Sequence, residues 1–203
     1  LLQRVAETPD VVALRVKDRG VWKPMTWREY GRRIEHLALG MLELGLQPGE
    51  NVAIIGDNWP QHLITDLAAQ SLQGAGVVLY PESSPEEVAF IVGHAECPVV
   101  VVRDQEQADK LFEMQQELPG LRRIIYCDGR GMSLYDATVA ISFDEVLAMG
   151  ARRAEANPNE YRESVDRGKN SDIAILMYTS GTTGEPKGAM MTHLNVIAGV
   201  KNF

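Results

Sequence analysis

Apolar positions recur at steps of three and four along residues 27–44, and this period predicts an amphipathic helix. The apolar stripe consists of Trp27, Tyr30, Ile34, Leu37, Met41 and Leu44. Thr26 and Glu29 have the spacing of a capping box, in which each side chain bonds the other residue's backbone amide, so they predict the helix start. Gly45 predicts the helix end, because glycine readily adopts the left-handed conformation that follows many helices.

Short apolar runs alternate with further helical patterns along most of the chain. Strands are predicted at residues 52–55, 76–80, 98–102 and 122–126. Helix starts are predicted at Pro60 and at three capping pairs, which are Ser84 with Glu87, Asp104 with Gln107, and Ser142 with Glu145. This alternation predicts an α/β fold with a mainly parallel sheet flanked by helices. Right-handed crossovers are expected between the parallel strands.

Three segments depart from this rhythm. Residues 11–25 predict a β-hairpin that turns at Asp18-Arg19-Gly20, while residues 129–138 and 157–170 are predicted to be polar connections. The second connection is the best candidate for a linker. We therefore divide the chain into a first α/β subdomain, residues 1–170, and a segment, residues 171–203, that contains a strand, a loop and the start of a helix.

Charge and cysteine content exclude several classes of function. The chain has 28 acidic and 20 basic residues, a formal net charge of −8. A surface of this sign repels polyanions, so nucleic-acid binding is disfavoured. The two cysteines, Cys97 and Cys127, and the four scattered histidines have the spacing of neither a disulfide framework nor a metal site.

The sequence contains no run near the roughly 20 apolar residues that cross a bilayer. It begins Leu1-Leu2-Gln3, without methionine and without a secretory signal. We therefore expect the chain to come from a longer protein that resides in the cytoplasm. The sequence leaves the oligomeric state open.

Glycine and hydroxyl side chains concentrate at residues 179–188, between a predicted strand at 173–178 and a predicted helix at 189–200. The candidate phosphate-binding residues are Thr179, Ser180, Gly181, Thr182, Thr183, Gly184 and Lys187. Glycines let the backbone approach an anion closely, hydroxyl groups donate to phosphate oxygens, and successive amides form anion-binding nests. The lysine adds positive charge, and the amino end of the predicted helix adds its dipole. This segment therefore predicts a phosphate site.

The spacing of this segment departs from the Walker loop, G-x-x-x-x-G-K-[ST]. Counted from Gly181, Pro186 occupies the position of the second glycine, and Gly188 occupies the position of the magnesium-binding hydroxyl. A kinase-like or GTPase-like assignment therefore fails at these residues.

Residues 179–188, TSGTTGEPKG, resemble the phosphate-loop signature of the AMP-binding, adenylate-forming superfamily. That superfamily includes acyl-CoA synthetases, luciferases and the adenylation domains of peptide synthetases. The resemblance extends over essentially the whole chain, with similar landmarks at residues 8–10, 26–30, 45–55, 58–60 and 74–84. Residues 80–84, YPESS, together with residues 94–96, HAE, are most similar to the long-chain fatty acid–CoA ligase branch.

The resemblance implies the N-terminal part of the adenylate-forming fold and a two-step reaction. A carboxylic acid, in this branch a long-chain fatty acid, attacks the α-phosphate of Mg-ATP, and the thiol of coenzyme A then displaces AMP. On the same basis, Thr179 is expected to help coordinate Mg²⁺ and residues 180–184 to contact the β- and γ-phosphates. Lys187 is expected to neutralise charge or to order the loop.

The resemblance also implies that other parts of the site lie downstream. The family's acidic magnesium ligand, its hinge and its C-terminal lid domain with the catalytic lysine all follow the phosphate loop. No catalytic residue is therefore expected within residues 1–203, and the isolated chain is expected to be inactive. The expected partners are the acid, ATP and coenzyme A, and peripheral membrane contact is left open.

A second hypothesis is a catalytically incomplete binding or regulatory module that retains the fold. The parent reading frame distinguishes the two hypotheses, because several hundred further residues with a lysine-bearing terminal domain favour the enzyme. Trp59, which precedes Pro60, is given the structural role of a helix staple or core wedge. His193 is interpreted as a helix residue that shapes the exit of the loop.

Overall fold

A computed structural model of the chain describes residues 1–179 and 186–201. The helices are α1 (Leu2–Glu7), α2 (Trp27–Glu43), α3 (Pro60–Ser71), α4 (Pro85–His94), α5 (Gln105–Glu113), α6 (Phe143–Ala156), α7 (Glu160–Arg167) and α8 (His193–Lys201). The strands are β1 (Val12–Asp18), β2 (Val21–Thr26), β3 (Val52–Ile55), β4 (Gly76–Leu79), β5 (Val99–Val102), β6 (Arg123–Tyr126), β7 (Ala140–Ser142), β8 (Ile173–Thr179) and β9 (Lys187–Thr192). Two 3₁₀ turns lie at Gln115–Glu117 and Met132–Leu134.

Seven strands form one sheet in the order β7-β6-β5-β3-β4-β8-β9. Five neighbouring pairs are parallel, and β8 pairs with β9 antiparallel. The α/β class and the mainly parallel sheet are therefore confirmed. Since β8 pairs with β4, the strand that precedes the candidate loop belongs to this same sheet. The division of the chain at residue 170 stays a prediction.

Two apolar clusters cover the two faces of the sheet. Alternate residues of β5 enter different clusters, with Val99 and Val101 in one and Val100 and Val102 in the other. The first cluster contains residues of α2, α3 and α6, and the second contains residues of α4 and α5. Burial on both faces explains why the central strands are continuous apolar runs rather than alternating patterns.

The predicted helix starts are confirmed at the level of side-chain contacts. Thr26 with Glu29 and Ser142 with Glu145 form complete capping boxes. Ser84 and Asp104 accept a hydrogen bond from the third residue of their helices. The predicted hairpin is β1–β2, and it turns at Arg19 and Gly20, whose φ angles are 47° and 83°.

The structure differs from the prediction at residues 157–170, where α7 replaces the expected polar connection. This helix has few apolar residues, so its period is weak, but Tyr161 and Ser164 are buried. Ser164 donates to the Ser71 carbonyl at 2.9 Å, and its own carbonyl accepts from Gln73 at 2.8 Å. Polar contacts with the last residue of α3 and with Gln73 after it therefore hold α7 in place. In the part of the chain that the structure describes, no helix is long and apolar enough to cross a membrane.

Candidate functional site

The candidate loop leaves the sheet at the edge where the parallel strands end. β3, β4, β5 and β8 run in the same direction, so their carboxyl ends share that edge. Open α/β sheets bind ligands outside the carboxyl ends of their strands. The position of Thr179 at the end of β8 is therefore that of a ligand-binding loop.

Thr179 and Lys187 form the last pair of the β8–β9 ladder. Both side chains are exposed, and residues 180–186 connect the two strands. Two of the predicted site residues are thus brought together across the hairpin, one at each end of the loop. The other predicted residues, Ser180, Gly181, Thr182, Thr183 and Gly184, lie outside the described residues.

The prediction that a helix begins at Ala189 is wrong. Lys187–Thr192 form β9, and α8 begins only at His193. Pairing with β8 gives β9 its backbone hydrogen bonds, which overrides the helix propensity of Ala189 and the methionines after it. Six residues of strand span about 20 Å. The amino end of α8 therefore does not contribute its dipole to the phosphate loop, and that part of the prediction is also wrong.

Thr192 caps α8, and the spacing of Thr192 and Asn195 in the sequence could have predicted this cap. The Asn195 amide donates to the Thr192 hydroxyl at 3.2 Å, and the Asn195 side chain accepts from the Thr192 amide at 3.0 Å. This reciprocal arrangement is that of a capping box with asparagine in place of glutamate. Recognition of Thr192 as a cap residue would have predicted the helix start at His193 and freed residues 187–192 for a strand.

Tyr178 connects the base of the loop to α4, a contact that sequence analysis did not predict. Its hydroxyl lies 2.6 Å from His94 Nδ1. The ring of His94 is stacked on Phe90, with centroids 5.5 Å apart and planes inclined by 18°. On β9, the partner of Tyr178 is Gly188, so the ring of Tyr178 lies over a residue without a side chain.

A second group of polar side chains lies at the same edge, beyond β3 and β5. Arg103 forms an ion pair with Asp57 and lies 3.6 Å from Asp104 Oδ2. Its guanidinium group stacks on Trp59, 4.9 Å from the ring centroid. Trp59 is 44% exposed, so its interpretation as a core wedge is wrong. These contacts pair Arg103 with carboxylates and an aromatic face at the surface.

Among the titratable groups away from the loop is the carboxyl of Asp66, a partly buried residue of α3. Burial raises the pKa of the Asp66 carboxyl, and a hydrogen bond from Gln70 and the charges of His62 and His193 offset part of that effect. Gln70 Nε2 donates to Asp66 Oδ2 at 2.9 Å, whereas Oδ1 has no hydrogen-bond partner among residues 1–179 and 186–201. Close approach to Gly76 confines this carboxyl, because a Cβ there would lie 2.1 Å from Oδ1.

Comparison with known proteins gives a match along the whole chain. The family model described as "AMP-binding enzyme" matches residues 1–203. The chain is 33% identical over 186 residues to the peroxisomal long chain acyl-CoA synthetase 6 of Arabidopsis thaliana, covering 89% of this chain and 25% of that protein. It is 29% identical over 195 residues to the long-chain-fatty-acid–CoA ligase FadD15 of Mycobacterium bovis, covering 96% of this chain and 31% of that protein.

Among solved structures, the acetoacetyl-CoA synthetase of Streptomyces lividans superposes with a TM-score of 0.75 at 22% identity, over 95% of this chain and 29% of that chain. A likeness at this identity shows the fold alone. The chain thus spans between a quarter and a third of the length of these known proteins.

Proposed function

Because the chain belongs to the AMP-binding enzyme family, we propose that it forms the phosphate-binding part of an ATP-dependent ligase that activates a carboxylic acid for transfer to coenzyme A. The carboxylate attacks the α-phosphorus of ATP, the bond to the bridging oxygen breaks, and pyrophosphate leaves. The thiol of coenzyme A then attacks the acyl carbon, and AMP leaves as the thioester forms.

The residues at the two ends of the loop fit a magnesium–phosphate group. Thr179 offers a hydroxyl oxygen, the hard type of ligand that Mg²⁺ accepts. Lys187 offers an ammonium group directly across the hairpin, which suits a phosphate as a point charge. Magnesium would supply charge neutralisation between phosphate oxygens, while Thr179 would hold the ion and Lys187 would balance the remaining negative charge. These residues position the nucleotide and stabilise charge; they supply no acid or base.

The proposed acid is a long-chain fatty acid. The support comes from relatives such as the Arabidopsis and Mycobacterium proteins, whose names specify long-chain acyl groups. Residues 80–84 and 94–96, which resemble that branch, lie in the turn before α4 and at the end of α4. No residue of this chain is assigned to the acyl chain itself.

The observation that carries this proposal is the last pair of the β8–β9 ladder. A threonine and a lysine are cross-strand partners where a glycine-containing connection leaves the carboxyl edge of a parallel sheet. The same pair, placed at the opposite edge, would have no route to a ligand held outside the carboxyl ends of the strands.

The test is carboxylate-dependent ATP–pyrophosphate exchange by the protein that carries this chain, with acids from acetate to palmitate. Lys187→Ala is expected to lower exchange at least tenfold, because a charged hydrogen bond to phosphate contributes about 1.5–3 kcal/mol. Lys17→Ala is the matched control, since Lys17 is an exposed strand lysine of β1. We expect a maximum with long acids and normal exchange in the control.

Two results would contradict the proposal. Exchange that survives Lys187→Ala would remove the loop from the chemistry. Absence of exchange with every acid, from folded protein supplied with magnesium, would favour the binding-module hypothesis. The isolated 203-residue chain is expected to bind ATP weakly or not at all, and calorimetry that gives magnesium-dependent micromolar affinity would overturn that expectation.

A further inference from the structure

We propose that Tyr178 is a positioning residue for the phosphate loop, which it holds by a hydrogen bond to His94 on α4 and by the packing of its ring on Gly188 of β9. We call these three residues the tyrosine clamp. The inference rests on the proposed function, because it assigns a role in nucleotide binding to residues that do not themselves contact the nucleotide.

The first part of the clamp is the hydrogen bond between Tyr178 and His94. The two atoms are 2.6 Å apart, a short distance for such a bond. Burial raises the pKa of the Tyr178 phenol above its usual range. The hydroxyl therefore keeps its proton at neutral pH, so it can donate a hydrogen bond to Nδ1 of His94.

The second part is the aromatic packing of His94, which is itself an exposed residue. Its ring lies between two aromatic rings, stacked on Phe90 and in edge contact with Tyr178 at a centroid distance of 5.8 Å. His94 is the last residue of α4, a helix that buries Val88, Ile91 and Val92 in the core. The hydrogen bond thus joins the base of the loop to an element with a fixed position.

The third part is the contact with Gly188. A Cβ at this position would lie 3.1 Å from Tyr178 Cζ and 3.3 Å from Leu176 Cδ1. Such distances are tighter than most Cβ contacts in proteins, so a side chain at residue 188 would push the ring away by a few tenths of an ångström. Gly188 directly follows Lys187, and Tyr178 directly precedes Thr179. One side chain therefore fixes the residues next to both ends of the loop.

The consequence concerns the entropy of binding. Ordering a loop residue costs backbone entropy, and a site whose ends are already fixed loses less of its freedom when the ligand binds. The clamp should therefore lower the KM for ATP. It should leave the KM for the acid nearly unchanged, because it does not fix the acid.

The first experiment uses Tyr178→Phe, which keeps the ring and removes the hydroxyl, in the protein that carries this chain. We expect the KM for ATP in pyrophosphate exchange to rise about twofold to tenfold, the factor that corresponds to one net hydrogen bond. The KM for the acid should change by less than twofold. Tyr135→Phe is the matched control, because Tyr135 also bonds through its hydroxyl, to Asp109 and Gln105, away from the loop.

Variants at His94 distinguish a positioning role from a purely structural one. His94→Leu removes the acceptor and should reproduce the effect of Tyr178→Phe, and the double variant should be no worse than either single variant. His94→Gln keeps an acceptor oxygen and should restore part of the ATP affinity. An equal rise of both KM values, or an additive double variant, would overturn the proposal.

The glycine gives an independent double-mutant cycle. Gly188→Ala should raise the KM for ATP in the wild-type background, because the new methyl group displaces the Tyr178 ring by a few tenths of an ångström. The same change should cost little in a Tyr178→Ala background, where no ring opposes it. Equal costs in both backgrounds would show that the ring and Gly188 do not interact.

A structural readout keeps this test separate from the test of the proposed function. Amide hydrogen exchange of residues 187–192 should be faster in Tyr178→Phe than in the wild type or in Tyr135→Phe. If wild-type protein shows no pyrophosphate exchange, the proposed function fails while this measurement still decides whether the clamp exists. If amide exchange is unchanged by Tyr178→Phe, the clamp fails whatever the enzymatic activity.

Discussion

The centre of the sheet and its β8–β9 side are built in opposite ways. Every residue of β3 and of β5 is buried, because helices cover both faces of these strands and exclude solvent from them. In β8 and β9, by contrast, Ala174 is the one residue that is buried. The buried centre contributes most of the hydrophobic stabilisation, and the β8–β9 side carries the proposed phosphate site. A site on such a hairpin needs added restraints, and the tyrosine clamp is one of them.

We expect the largest effect from replacing isoleucine by alanine, once in the centre of the sheet and once in β8, and comparing the loss in free energy of unfolding. Ile55→Ala, in β3 at 1% exposure, is expected to lower the free energy of unfolding by about 2–5 kcal/mol, through lost burial and a residual cavity. Ile173→Ala, in β8 at 37% exposure, should cost less than about 1 kcal/mol. Urea unfolding of both variants measures the difference. Equal costs would mean that the hairpin is as much a part of the core as the centre.

The buried carboxyl of Asp66 should make the core sensitive to pH in a direction that can be worked out. Because burial raises its folded pKa, the folded state binds more protons than the unfolded state as pH rises through the usual carboxyl range, and stability falls. Asp66→Asn should therefore stabilise the protein at neutral pH, on the order of 1 kcal/mol. The gain should shrink as the pH falls below the unfolded pKa. Unfolding curves at several pH values would contradict this if the gain were constant.

Helix caps in the two regions provide a smaller contrast. Ser142→Ala removes the box at the start of α6, which packs on α2, and should cost about 1 kcal/mol of global stability. Thr192→Ala removes the cap of α8, a helix whose first turn contains the exposed residues Leu194 and Asn195. We expect it to increase amide exchange in α8 while the unfolding midpoint barely moves. If the midpoint of urea unfolding fell by a similar amount in both variants, α8 would unfold only together with the core.

The smallest effect on stability should come from the residue with the largest proposed effect on activity. Lys187→Ala changes an exposed side chain, so its effect on the free energy of unfolding should stay within about 0.5 kcal/mol. Calorimetric unfolding, run beside the exchange assay, checks this. A large loss of stability would mean that reduced exchange reports misfolding rather than a lost phosphate contact.

Sequence patterns predicted the fold well where local chemistry and tertiary packing agree. The stripe of α2 and the caps at Thr26 and Ser142 were sufficient because each acts within one turn of helix. The apolar runs of β3 and β5 were sufficient because strands that are buried on both faces consist almost entirely of apolar residues. The hairpin turn at Arg19-Gly20 was also decided locally, by backbone conformations that glycine tolerates.

The predictions failed where distant partners decide the outcome. Residues 187–192 form a strand because β8 lies beside them, and α7 forms because Ser164 bonds to a segment more than 90 residues earlier in the chain. The contact of Tyr178 with His94 likewise joins residues 84 positions apart. Of the candidate site, sequence analysis predicted Thr179 and Lys187 through the signature, and their roles stay predictions. It could not find the clamp, because neither a tyrosine nor a histidine alone indicates its partner.

The strand order has a consequence for synthesis on the ribosome. β4 emerges long before β8, its neighbour in the finished sheet, because about 100 residues separate them and translation adds 5–20 residues per second. For roughly 5–20 s, therefore, one side of β4 has no strand beside it. Parallel pairing over such a sequence separation is also slow to form. The nascent chain thus passes through a period in which β4 has an unpaired backbone edge, while its apolar residues Val77 and Leu79 can already pack against α4.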